Sequence, residues 1–181
     1  MKQSTFNLKK NRHSLILALS LLCTLNQAVQ AAPTPAHQLD ATEIRLLKAL
    51  QVPIAVIGYL PPGCRFYNLS IEHSRRGVGG GPAYEMEYLC ENGVQFTLRA
   101  STGGFGGPGG DKEETIWNPI YGKIPLLLFL PGGQLEIEHP YFYSDWFGKA
   151  PLYYSLMSGN DDSEQLDLKE ARKVLQSIRP L

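Results

Sequence analysis

The sequence predicts an α+β domain over residues 40–181: a curved antiparallel sheet of about five to six strands, with one helix before it and one after it. Three observations predict this. Asp40–Glu43 and Asp167–Glu170 both show the spacing of a helix capping box, and each opens a segment with apolar residues at helical intervals. Between them lie segments rich in β-formers, separated by Gly, Pro and Asn turns. Two of these segments bring Cys64 opposite Cys90 when they are folded back on each other antiparallel.

The chain has 181 residues, enough for one domain with a substantial core. Its first 31 residues form a separate unit. Lys2, Lys9, Lys10 and Arg12 give a basic start, followed by the apolar run LILALSLLCTL at 15–25 and by Val29-Gln30-Ala31 before Ala32. This order is that of a secretory signal peptide, with an N-terminal membrane anchor as the alternative. The apolar run is short for a bilayer span. Leu22 before Cys23 departs from the lipid-attachment pattern. Without this leader, 13 basic residues face 17 acidic ones, a net charge of about −4 with neutral histidines. A nucleic-acid partner calls for a basic patch, and this balance speaks against one.

Residues 32–39 are expected to be a flexible, proline-containing lead-in. Asp40 then caps a helix with Ile44, Leu47 and Leu50 on one face, ending before Pro53. Tyr59-Leu60-Pro61-Pro62-Gly63 is a rigid turn that launches a strand at Cys64. That strand (CRFYNLSIEHS) and the next (AYEMEYLC) flank the turn RRGVGGGP, and pairing His73 with Gly81 puts Cys64 opposite Cys90. A disulfide there fits an oxidising compartment, with free thiols as the alternative. Glu91-Asn92-Gly93 turns the chain into a third strand, VQFTLRAS. Later strand candidates are LLLFL (126–130), QLEIEH (134–139) and PLYYSLM (151–157). Leu168, Ala171, Val174, Leu175 and Ile178 make the apolar stripe of a final helix.

Chemical motifs are sparse. Gly104–Gly109 (GFGGPG) has G-x-G-x-x-G spacing, but a strand of a meander precedes it and a proline-containing segment, DKEETIWNPIYGKIP, follows in place of a long helix. A dinucleotide turn needs that helix to meet the pyrophosphate, so the glycines read as a loop and no nucleotide or other cofactor is expected. No G-x-S-x-G elbow is present, and His37, His73 and His139 show no metal-ligand spacing. Asn160-Asp161-Asp162-Ser163-Glu164 resembles part of a calcium loop but lacks its glycine and closing glutamate. The sequon Asn68-Leu69-Ser70 falls within a predicted strand. Glu136, Glu138 and His139 share a short segment that admits acid–base chemistry, although alternating charge is also what a half-buried strand shows.

The segment YFYSDWF concentrates Tyr141, Phe142, Tyr143, Trp146 and Phe147 in seven positions. One strand cannot turn all five rings inward. Some are expected in the core and the rest at the surface, as a candidate contact for a ligand or partner.

The Tyr59-Leu60-Pro61-Pro62-Gly63 turn, the closing aromatic strand and the capped helix ending in Ile178-Arg179-Pro180-Leu181 resemble a bacterial family of exported domains of unknown function. Members of that family stand alone or at the extracytoplasmic end of anti-sigma-factor-like proteins, and their sheet is similar to that of lipoprotein carriers. With its glycine-rich loop and cysteine pair, this chain resembles a cyanobacterial form. The resemblance implies an extracytoplasmic binding or sensing module without catalytic residues, in the periplasm, the extracellular space or the thylakoid lumen. Its partner is expected to be an envelope ligand or protein. The mature chain is expected to have no transmembrane segment and, unlike the anti-sigma arrangement, no cytoplasmic domain. The alternative is a cell-envelope hydrolase using carboxylates near Glu136 and Glu138.

Overall fold

The computed structural model describes residues 37–73, 82–103, 109–129, 141–158 and 165–181. Among these described residues there are two helices and ten strands; the helices are α1 (Ala41–Ala49) and α2 (Leu168–Ser177). Ten strands follow the chain as β1 (Ala55–Val56), β2 (Cys64–His73), β3 (Pro82–Cys90), β4 (Gln95–Ser101), β5 (Lys112–Asn118), β6 (Gly122–Phe129), β7 (Tyr141–Ser144), β8 (Phe147–Lys149), β9 (Leu152–Ser158) and β10 (Arg179–Pro180). Eight of them form one antiparallel sheet in the order β2-β3-β4-β9-β7-β6-β5, with β8 paired to β9 beside β7; β1 and β10 form a second, two-stranded sheet.

The protein is therefore mostly β, and the expected α+β domain with five to six strands is incorrect. The difference lies in segments that sequence patterning hides. KEETIWN has the composition of a linker, yet it is β5, an edge strand whose Ile116 and Asn118 are buried while Glu113, Thr115 and Trp117 are exposed. An edge strand tolerates such charge. Pro125 argues against a strand, yet it sits inside β6. Its missing donor falls at the break between β7 and β8, where Asp145 N–H donates to Pro125 O at 2.8 Å. The two-residue strands β1 and β10 carry no periodicity of their own.

Both helices start where expected. Asp40 caps α1 in a reciprocal box: its carboxylate accepts from Thr42 and Glu43 N–H, and Glu43 accepts from Asp40 N–H. Asp167 caps α2, but Glu170 does not return the bond; its carboxylate takes the Tyr59 hydroxyl at 2.5 Å and Lys173 at 2.7 Å. Strand β2 is launched by a turn in which Cys64 N–H donates to Pro61 O and Gly63 adopts φ +74°, the left-handed conformation that a type II turn requires at its third residue. The described end of the lead-in, residues 37–39, packs against the domain. His37 and Leu39 are buried, Leu39 N–H donates to His37 Nδ1, and Gln38 Oε1 accepts from Phe66 N–H of β2.

One face of the large sheet is the core. Tyr84, Met86 and Tyr88 of β3, Phe96 and Leu98 of β4, Leu126 of β6 and Leu156 of β9 are all buried there. Leu47 of α1, Val174 and Leu175 of α2, and residues 54–57 belong to the same cluster. Two tyrosines tie residues 53–55 to this face. The Tyr84 hydroxyl accepts from Ala55 N–H and donates to Ala55 O; the Tyr154 hydroxyl donates to Pro53 O. Burial raises the pKa of both phenols, so they stay protonated donors.

The chain ends meet over this face. Ala55 pairs with Pro180 and Val56 with Arg179, and Leu181 N–H donates to Ile54 O. Gly58 N–H donates to Ser177 O, and a Cβ on Gly58 would stand 2.6 Å from that oxygen, so only glycine fits this approach. Asn118, fully buried at the β5–β6 turn, donates its amide to Leu175 O (2.7 Å) and Ile178 O (2.9 Å) at the end of α2. Its Oδ1 accepts from Ile120 and Tyr121 N–H. Arg172 of α2 bonds Glu114 of β5 at 2.6 Å.

Two predictions follow from the β5–α2 contact. Asn118→Ala removes donors from buried carbonyls, and should cost about 2–4 kcal/mol in chemical denaturation; an unchanged midpoint would show that the helix end is satisfied otherwise. The Glu114 pKa is lowered, chiefly by the Arg172 hydrogen bond working against partial burial. Because the folded value lies below the ordinary value of about 4.5, the stability it contributes is present above that pH and disappears as pH falls through the folded value. Denaturation of Glu114→Gln should therefore show a deficit at pH 7 that closes on acidification; a deficit of equal size at pH 3 would mean that packing, not charge, is responsible.

Candidate functional site

Strand alternation sends the other face of the sheet outward. Glu85 and Glu87 of β3, Thr97 and Arg99 of β4 and Met157 of β9 stand on this face. The β3–β4 register places Glu85 directly opposite Arg99, and the pair bonds Nε to Oε1 at 2.6 Å. Arg99 Nη1 also contacts Met157 Sδ at 3.4 Å.

Two hollows open beside this pair and share it. The larger, of about 430 Å³, is lined by Tyr67, Glu87, Gln95, Thr97 and Met157 as well as Glu85 and Arg99. The smaller, of about 230 Å³, adds Ser70, Glu72, Ser101 and Trp146 to the same pair. Tyr67 reaches this face through a β-bulge between Phe66 and Asn68 and is 54% exposed, with the Arg65 guanidinium 5.9 Å from its ring centroid.

The five rings of the aromatic segment occupy both faces. Phe142 is fully buried in the core, and Phe147 is buried against Tyr121 and Tyr154, with centroids at 5.4 and 5.8 Å. On the opposite side Tyr143 is buried and stacks on Phe129 at 5.4 Å, while Tyr141 is partly exposed against the same ring. Burial, then the charge of Asp145, raises the Tyr143 pKa. Trp146, partly exposed in the link between β7 and β8, lines the smaller hollow; the other four rings do not. The segment is thus divided, and one residue of it meets the polar pair.

Sequence reasoning missed Glu85, Arg99, Tyr67 and Glu72. A signal for the first two was present: centring the β3–β4 turn on Asn92 places Glu85 opposite Arg99. Tyr67 depends on a bulge that no sequence pattern announces. The hydrolase candidates Glu136, Glu138 and His139 lie outside the described residues, as do the leader at 1–31, Gly104 to Pro108 of the glycine loop, and the calcium-like residues 160–164. Among the described residues no group of His, Cys, Asp and Glu is placed to hold a metal ion, and no helix is long and apolar enough to cross a membrane.

At the far end of the β2–β3 hairpin Cys64 and Cys90 are joined in a disulfide. They pair across the strands, but the register at the hairpin tip is His73 with Pro82 rather than Gly81; the bulge at Tyr67 absorbs the one-residue difference. A third hollow of about 380 Å³ adjoins the bridge, lined by Pro61, Pro62, Glu91, Asn92, Asp167 and Glu170 among others. Hydrogen bonds from Lys173 and then Tyr59 lower the Glu170 pKa, which keeps that carboxylate ionised. The cysteines are 26 residues apart. Reduction should lower stability by about 3–4 kcal/mol through the loop entropy returned to the unfolded chain. An equal unfolding midpoint with and without reductant would show that the bridge does not constrain the unfolded state.

No protein-family model matches this chain, and neither a curated protein nor a solved structure matches it.

Proposed function

We propose that the protein is an exported, non-enzymatic binding module that holds an envelope ligand or partner on the outer face of its large sheet. One observation carries this reading: Trp146, partly exposed, lines a hollow together with the Glu85–Arg99 pair. An aromatic face beside groups that both donate and accept hydrogen bonds is a common composition for recognition. The rest of the segment is supporting structure, with Phe142 and Phe147 in the core and Tyr143 stacked on Phe129. Export is supported by the leader pattern at 1–31 and by the disulfide, which suits an oxidising compartment. The resemblance to exported bacterial domains points the same way. A binding module also explains why the outer face keeps several carboxylates and the Arg99 and Arg65 guanidinium groups on a scaffold whose other face is almost wholly apolar.

The test separates scaffold from surface. Phe142→Ala removes a fully buried ring and should cost about 3–5 kcal/mol. Trp146→Ala should cost about 1 kcal/mol or less, as near-surface changes do. A thermal-shift screen of the exported protein against envelope glycans, lipids and metal ions should yield a stabilising ligand, and Trp146→Ala should abolish the shift. A ligand whose shift is untouched by Trp146→Ala would place binding elsewhere. Turnover of an envelope substrate that is lost in Glu136→Gln or Glu138→Gln would replace this reading with the hydrolase alternative.

A further inference from the structure

We propose that the two hollows on the outer face are one continuous trough for an uncharged oligosaccharide; this rests on the binding-module reading and names its ligand class. The hollows share Glu85 and Arg99, so a ligand running from one to the other must pass both groups. They lie side by side 2.6 Å apart, one an acceptor and the other a donor. A cation would have to rest against the guanidinium, and an anion against Glu85 and its neighbours Glu72 and Glu87. A hydroxyl meets neither objection, because it donates to the carboxylate and accepts from the guanidinium with the same oxygen. A chain of sugar rings presents such groups along its length.

The remaining lining fits the same class. Ser70, Gln95 and Thr97 are neutral groups that donate and accept, the Ser101 hydroxyl is engaged by Gly103, and charge in the lining is kept to the central pair and two flanking carboxylates. Lipid chains are poorly matched to this lining, since they would cover charged groups without pairing them. Trp146 lines one hollow and Tyr67 the other, so each offers aromatic surface for the C–H face of a pyranose. Apart from Trp146 in the β7–β8 link and Gly103, the lining residues come from β2, β3, β4 and β9, neighbouring strands that span about 14 Å at the usual spacing, which is room for a short oligosaccharide rather than a single ring. The larger hollow, about 430 Å³, lies within the range of roughly 300–1,000 Å³ typical of small-molecule sites.

The experiment uses the full exported protein and isothermal titration with four probes of fixed size: a β-1,4-linked N-acetylglucosamine tetramer, cellotetraose, maltotetraose and a tetralysine peptide. We expect at least one of the saccharides to bind and the corresponding monosaccharide to bind at least tenfold more weakly. Trp146→Ala and Tyr67→Ala should each weaken that saccharide by about tenfold, as loss of an aromatic anchor does. The double variant Glu85→Arg with Arg99→Glu keeps an ion pair but exchanges donor and acceptor positions. It should retain the wild-type melting temperature and lose saccharide binding, which a merely structural pair would not do. Failure of all three saccharides overturns the proposal, as does saccharide binding indifferent to Trp146→Ala, Tyr67→Ala and the exchanged pair. If instead tetralysine binds and Trp146→Ala abolishes it, the ligand class is wrong while the binding-module reading stands.

Discussion

A large antiparallel sheet needs one face covered to form a core, and among the described residues the two helices and residues 54–57 provide that cover. The cover comes from the two ends of the domain, which must therefore be joined to each other. Ala55–Val56 and Arg179–Pro180 pair as β1 and β10, Leu181 bonds Ile54, Gly58 bonds Ser177, and Asn118 holds the end of α2 against the β5–β6 turn. The close approach of Gly58 to Ser177 O leaves no room for a Cβ. Tyr84 and Tyr154 then pin the joined ends to β3 and β9 by hydroxyl bonds to backbone groups that would otherwise be buried without partners. Each of these contacts links residues far apart in the chain. The closure thus forms only when the whole sheet is assembled, which makes the core cooperative.

That division of labour frees the outer face. With the apolar side chains committed inward, the outward positions of β2, β3 and β4 are available for polar groups without cost to the core. Their arrangement is set by register rather than by local sequence. Glu85 meets Arg99 because the turn at residues 91–93 is tight, and Tyr67 projects at its position because the bulge inserts one extra residue. The disulfide anchors the same hairpin at its base. Register there is fixed covalently by Cys64 and Cys90, so the bulge displaces the hairpin toward its tip and not toward the turn that sets Glu85 against Arg99.

Much of the local structure was legible in the sequence, and the fold class was not. Asp40 and Asp167 cap their helices, the Pro61–Gly63 turn launches β2, and Cys64 meets Cys90, because each depends on residues close together or on covalent chemistry. The errors arise where tertiary contacts decide. KEETIWN becomes a strand because α2 packs on it and Asn118 and Glu114 find partners on α2, not because its own composition favours one. Pro125 is tolerated because the unpaired position coincides with the break after Ser144. Ala55–Val56 is a strand only because residues 179–180 arrive beside it. Of the rings concentrated at 141–147, only Trp146 lines the hollow; the other four are structural or lie on another part of the sheet.

The break that tolerates Pro125 also accounts for the position of Trp146. A continuous strand from Tyr141 to Lys149 would alternate without interruption, with Phe142 and Ser144 inward and Tyr141 and Tyr143 outward. Phe147 is buried again opposite Tyr154, so the two residues between Ser144 and Phe147 must leave the regular pleat to restore the inward side chain. Those residues are Asp145 and Trp146. Asp145 stabilises the departure by bonding Pro125 O through its N–H and accepting from Trp146 N–H through its carboxylate. The phase correction required by the core therefore takes Trp146 out of the ladder beside β9, and its side chain comes to line the same hollow as Arg99 and Ser101 of β4. A packing requirement on the inner face thus sets the composition of the outer one.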